Sequence, residues 1–262
     1  MQHYYSNLCR NPHSFSYLLN PTDTICGQEE VDLLILVTSS LTHSDRRLAI
    51  RETWGRQQDK VKMLFLLGNT ATHDEALEEE IKTENENYND ILREDFLDSY
   101  QNLTLKTLGG VKWGAIFCTQ AHFVMKTDDD MYVNVPLLRT HLQTEYSGVS
   151  RVITGCVKNG PGGAPQPLAP HGVPFKSVHP LFTAGAGYVL SGDLLEPLYR
   201  ASLDIRLVRV EDAFLTGYCA RKVGDVKKHH NPHFSCGELV DRWVAGLSKY
   251  SIMFIMLLLQ GL

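Results

Sequence analysis

No stretch of this sequence is long and apolar enough for a membrane-spanning helix, which needs about 20 residues. Residues 33–37 have the length of a strand, and residues 252–259 also fall short. Met1 leads into Gln2, His3 and Asn7, which do not make the apolar core of a signal peptide. As written, the chain carries no anchor. No CxxC pair occurs among the six cysteines (Cys9, Cys26, Cys118, Cys156, Cys219 and Cys236), which argues against a zinc ribbon or a thioredoxin-type site. Positive charge is scarce too. The net charge is −5, whereas a nucleic-acid binder would carry a basic stripe. The one basic cluster, Lys227-Lys228-His229-His230, reads as a solvated turn. The dinucleotide fingerprint GxGxxG is missing, because the glycine after Gly185 and Gly187 is Gly192. No internal repeat is visible.

What is present is an ordinary globular composition, 43% hydrophobic and 21% charged over 262 residues, enough to bury a large core. Residues 1–30 are polar and turn-rich and read as a leader or stem. Apolar strand patterns at 31–39, 63–67, 90–96 and 121–125 alternate with helical ones at 44–54, 74–87 and 103–117. In the last of these helices Leu105, Leu108, Val111 and Ile116 are spaced to face inward. A helix over 134–146 and a strand over 152–157 follow. Residues 159–174 form a Pro/Gly-rich loop long enough to suggest a functional surface. Gly185-Ala186-Gly187 reads as a tight turn, or as a close backbone approach to a ligand, ahead of a helix capped by Asp193. Glu211-Asp212 opens a last helix over 213–222, where acids also suit the helix dipole. Such alternation predicts an α/β fold with a mostly parallel, doubly wound sheet.

The chemistry concentrates at Asp128-Asp129-Asp130, directly after the apolar strand at 121–125. Three adjacent carboxylates repel one another, and a cation among them relieves that. Carboxylate oxygens suit magnesium, manganese or calcium. Ligands of open α/β sheets bind outside the carboxyl ends of the strands, where this triplet falls. The reading is a metal site holding a phosphorylated substrate; the alternative is an acidic turn capping the next helix. A calcium loop fits worse, since Tyr132 and Val133 occupy its Asp/Asn and Gly positions. Asn102-Leu103-Thr104 is an N-glycosylation sequon, and together with the cysteines it leans toward the secretory pathway. Cys118 and Cys219 lie in apolar helical patterns that buried free thiols would also explain.

Several blocks resemble the β-1,3-galactosyltransferase family, Golgi enzymes with sister β-1,3-N-acetylglucosaminyltransferases. They are Arg47-Leu48-Ala49-Ile50-Arg51-Glu52-Thr53-Trp54-Gly55, Phe65-Leu66-Leu67-Gly68, and Glu94-Asp95-Phe96-Leu97-Asp98-Ser99-Tyr100 running on through Thr107. The aspartate triplet, Gly185/Gly187-Tyr188, and Glu211-Asp212 with Gly217 complete the set. The resemblance implies a GT-A fold, a single Rossmann-like domain with a mostly parallel mixed sheet flanked by helices. It places the transferase domain at 31–224, between the 1–30 stem and a divergent 225–262 tail. It implies Mn2+ at Asp130 and Asp128, and a UDP-sugar donor contacted by Arg47, Arg51, Lys126, Asp128, Asp129, Gly185 and Gly187. Asp212 matches the base that takes the acceptor hydroxyl proton, with inversion at the anomeric carbon. The acceptor would be a glycan on a glycoprotein or glycolipid, and the setting a Golgi membrane reached through an N-terminal anchor.

The chain departs from the family pattern in places. His179-Pro180 stands for the usual Tyr-Pro, Thr183 for a usual cysteine, and Ala213 for valine. Relatives continue through a basic segment to a histidine that completes the metal shell. Here the chain passes His229, His230 and His233 to Cys236 and then turns apolar. Four functions are therefore open: galactosyl transfer from UDP-galactose to a terminal N-acetylglucosamine, transfer of N-acetylglucosamine, a catalytically weak nucleotide-sugar or glycan binder, and a glycosidase using Asp130 and Asp212 as its two carboxylates.

Overall fold

The computed structural model describes residues 11–22, 25–27, 29–70, 74–158 and 179–236, together with the backbone of 253–255. The first half of the chain forms β1 (Tyr17–Leu19), β2 (Val31–Thr38), α1 (Ser44–Glu52), β3 (Val61–Asn69), α2 (Glu75–Tyr88), β4 (Ile91–Leu97) and α3 (Leu103–Phe117). Next come β5 (Ala121–Asp128), β6 (Met131–Val133), α4 (Val135–Tyr146), β7 (Val152–Lys158), β8 (Phe182–Ser191) and α5 (Leu195–Leu203). A π-helical turn (Ala213–Cys219) runs into α6 (Ala220–Val223), followed by β9 (Lys227–His230) and β10 (Met253–Ile255).

A strand that is apolar on both faces needs cover on both sides. In β2, Leu33, Ile35 and Val37 enter one core while Leu34 and Leu36 enter the other. The result is an eight-stranded sheet ordered β1-β4-β3-β2-β5-β8-β7-β9 between two helical layers. Strands β4, β3, β2 and β5 are parallel, whereas β8 runs antiparallel between β5 and β7. The expected mixed, mostly parallel sheet is present. In a separate two-stranded sheet, β10 pairs antiparallel with β6.

The structure differs from the sequence reading at several points. Tyr17 to Leu19, inside the expected leader, form the edge strand β1 on β4. Asn11 is tied to α5 through the Leu203 carbonyl, and His13 is buried against Glu94. Gly185 and Gly187 lie within β8, in place of the expected turn. The 227–230 cluster is edge strand β9, parallel to β7, and its lysines and histidines suit an edge that must not recruit further strands. Ile116 is 53% exposed, because α3 turns its Leu108, Val111 and Trp113 face to the core. The 159–174 loop lies outside the described residues.

Two disulfides join distant segments, Cys26–Cys118 and Cys156–Cys236, so Cys118 is no free thiol. Cys219 is the buried free cysteine among the described residues, and burial pushes its thiol up to about 12. We expect mass mapping of a non-reduced digest to recover both cross-linked pairs, with Cys219 alkylated only after denaturation. Finding Cys219 in a crosslink would contradict this arrangement.

Candidate active site

Strands β2 and β5 end side by side, with Thr38 in register with Asp128. The triplet therefore starts on the last residue of β5 and continues through a two-residue turn into β6. Its three carboxylates do different things. Asp128 Oδ1 accepts from Thr38 Oγ1 at 2.5 Å and from Lys126 Nζ at 2.6 Å. Asp129 is saturated: Oδ2 meets Ser39 Oγ at 2.7 Å and His43 Nδ1 at 2.7 Å, and Oδ1 accepts from Arg46 at 3.1 Å. Asp130 bonds to no other side chain among the described residues. Burial, then the charges of Asp128 and Asp129, push its carboxyl above the usual range.

Lys126 lies beneath the triplet, 2% exposed. Its Nζ reaches Asp128 Oδ1 at 2.6 Å, the Gly185 carbonyl at 2.8 Å and Glu211 Oε2 at 3.4 Å. Burial alone would pull this ammonium down, but Asp128 and Glu211 more than reverse that. Across the antiparallel pairing Lys126 faces Tyr188, whose hydroxyl donates to Glu211 Oε1 at 2.6 Å. Glu211 is itself raised, chiefly by burial.

Asp212 caps the π-helical turn, its Oδ1 accepting from Ala213 N at 2.8 Å. Burial raises its carboxyl; the amides of Ala213 and Gly185 and the cations Lys126 and Lys158 act against that. A Cβ at Gly185 would stand 3.2 Å from Asp212 Oδ2, a tight approach to which the carboxylate would have to yield. Gly185 thus links Lys126 and Asp212, its carbonyl accepting from the first and its amide bonding the second. Gly187 is in register with Thr127.

These donors fit a hard divalent ion. Among the described residues Asp130 and the second oxygen of Asp128 meet no other side chain; both offer oxygen ligands and carry charge that Lys126 does not fully balance. Asp129 is committed elsewhere. A different trio, Glu30, Asp32 and His122, also has ligand atoms within 4.8 Å of one another. It sits at the opposite ends of β2 and β5, beside a cavity of about 650 Å³. There Asp32 is already paired with Arg139 at 2.6 Å and Glu30 with Lys60 at 2.7 Å, so both charges are neutralised.

The arginines expected at the donor are engaged elsewhere. Arg47 is fully buried, bonding Glu84, Ser39 Oγ and the carbonyls of Ser40 and Leu41. Arg51 pairs with Asp90 and Glu84 between the rings of Phe65 and Tyr88. Asn102 donates to the Leu97 carbonyl at the start of α3. His229 and His230 lie on β9, which pairs with β7 and is separated from β5 by β8 and β7, so neither reaches the triplet. His43, Arg46 and Ser39 were not singled out in the sequence, and Tyr188 entered only as part of a family block. The first two stand just ahead of the Arg47 block, and only β2–β5 register brings them to Asp129.

The description galactosyltransferase applies to the family model that matches residues 45–232. Human beta-1,3-galactosyltransferase 1 is 40% identical over 227 residues, covering 82% of this chain and 67% of that protein; the mouse protein gives the same values. Human beta-1,3-galactosyltransferase 5 is 37% identical over 254 residues, covering 90% of this chain and 81% of its own length. Among solved structures, a glycosyltransferase involved in glycosylation of the PBCV-1 major capsid covers 86% of this chain and 94% of its own, at 11% identity and a TM-score of 0.47, too distant to carry an argument. The chain belongs to the galactosyltransferase family, in its β-1,3-galactosyltransferase group, and is a hexosyltransferase.

Proposed function

We propose that this enzyme transfers galactose from UDP-galactose to a terminal N-acetylglucosamine, in β-1,3 linkage and with inversion. The observation that supports this is Gly185, whose carbonyl accepts from Lys126, the partner of Asp128, while its amide holds the Asp212 carboxylate. Asp212 takes the proton of the acceptor hydroxyl as that oxygen bonds to the anomeric carbon. The bond from that carbon to the diphosphate breaks at the same time, and its electron pair leaves with UDP. A divalent ion at Asp130 and Asp128, manganese in our reading, supplies charge neutralisation for the departing diphosphate. The disulfides suit an oxidising lumen, and we assign the domain to the lumenal side of the Golgi membrane. Use of UDP-N-acetylglucosamine is the rival within the same chemistry.

One observation favours a second reading, a nucleotide-sugar binder with weak turnover. Apolar β10 lies along β6, immediately beyond the triplet, where the sequence resemblance leads one to expect a segment bearing a metal-ligand histidine. Measuring UDP release from both donors, with and without manganese and an N-acetylglucosamine-terminated acceptor, separates these possibilities. Metal-dependent, acceptor-stimulated release from UDP-galactose supports the proposal, and binding without release supports the second reading. For Asp130→Ala we expect manganese-dependent UDP affinity to fall at least about tenfold, as loss of a charged ligand implies. Unchanged affinity would remove Asp130 from the metal shell.

A further inference from the structure

A diphosphate carries charge that a single ion does not exhaust, and a guanidinium fork is well shaped to share it. Three cations are not placed to hold such a ligand. Arg47 places its five N–H groups on Glu84, Ser39, Ser40 and Leu41. Lys126 divides its three among Asp128, Gly185 and Glu211. Arg51 is held by Asp90 and Glu84 and is about 10 Å down α1 from Ser44, at roughly 1.5 Å per residue.

Arg46 is the exception. Adjacent residues on a helix point about 100° apart, so burying Arg47 turns Arg46 outward. Its side chain is 30% exposed and, among the described residues, its one hydrogen bond is Nη1 to Asp129 Oδ1 at 3.1 Å. The other N–H groups of the fork are uncommitted. Asp129 lies between the two aspartates whose oxygens are open, so the guanidinium stands beside the ion's place without occupying it. His43 holds the other Asp129 oxygen, which fixes the carboxylate that in turn fixes Arg46.

We infer that Arg46 grips the diphosphate of the sugar nucleotide, and that Asp129 serves to aim it. This rests on the UDP-sugar reading above. The middle acid of the triplet is then a bracket for a cation of the chain, while its two neighbours face the metal.

The test compares UDP with uridine, which lacks the phosphates, on the full chain in the presence of manganese, by titration calorimetry for UDP and ligand-observed NMR for uridine. Arg46→Ala should weaken UDP by about 10- to 100-fold, the range for losing charge-assisted hydrogen bonds. Uridine binding and Tm should be unchanged, and Arg46→Lys should recover part of the loss. UDP affinity equal to wild type in Arg46→Ala would overturn the inference, and so would equal losses for UDP and uridine. A wild-type protein that binds no UDP would overturn the donor reading and this inference with it.

Discussion

Asp212→Asn is expected to cut sugar transfer by about a thousandfold while leaving UDP affinity within about twofold of wild type, because general-base catalysis is worth roughly 10²- to 10⁴-fold. Asparagine keeps the shape and an oxygen to accept from Ala213 N, so the π-helical cap should survive. What is lost is the only property that matters for proton removal. The pH profile follows from the same surroundings. A base works only when ionised, and burial has raised this carboxyl above the usual aspartate range. Activity should therefore fall on the acid side at a higher pH than an exposed aspartate would give. Steady-state rates with saturating donor, beside UDP titration, check both points. Parallel loss of UDP binding and transfer would count against Asp212 as the base.

Lys126→Met should be the most damaging single change to the fold of the site. Lys126 balances Asp128 and Glu211 from a position 2% exposed. Removing one partner of a buried charge network costs about 3–5 kcal/mol, since the remaining charges stay desolvated. For a chain of this size that corresponds to a drop in Tm on the order of 10 °C. The residual enzyme should show a further change. Lys126 and Lys158 both hold the Asp212 carboxyl down, while the neighbouring Glu211 carboxylate contributes charge of the opposite sign. Without Lys126 the Asp212 carboxyl rises further, and the acid limb of the rate profile moves to higher pH. Thermal unfolding and a pH series on the variant decide the matter. An unchanged Tm would mean that Lys126 is not the counterion the geometry makes it.

How much of this was legible beforehand depended on whether the information was local. The β2, α3 and β5 patterns are set by runs of apolar residues, and the structure forms them within a few residues of the expected ends. The triplet was visible because three acids in a row are costly wherever they fall. The division of labour within it was not, because it depends on which residues the β2–β5 register places opposite. Arg47 and Arg46 look alike as letters, and only helical phase sends one into the core beside Glu84 and the other outward. Gly185 read as a turn for a similar reason. The tight space at its Cα comes from Asp212, far along the chain, rather than from its own backbone. Edge strand β9 was missed because edges take polar sequences that resemble loops, and β1 because the three residues Tyr17-Leu18-Leu19 are too few to set a period.

The Cys26–Cys118 crosslink has a consequence for the nascent chain. Its two thiols are 92 residues apart, and those of Cys156–Cys236 are 80 apart. At about 5–20 residues added per second, each first thiol waits on the order of five to twenty seconds for its partner to leave the ribosome. For Cys26, the one other cysteine already made throughout that interval is Cys9, which is not its partner. Oxidoreductases that unmake premature pairings should therefore govern how much of this protein folds into working form.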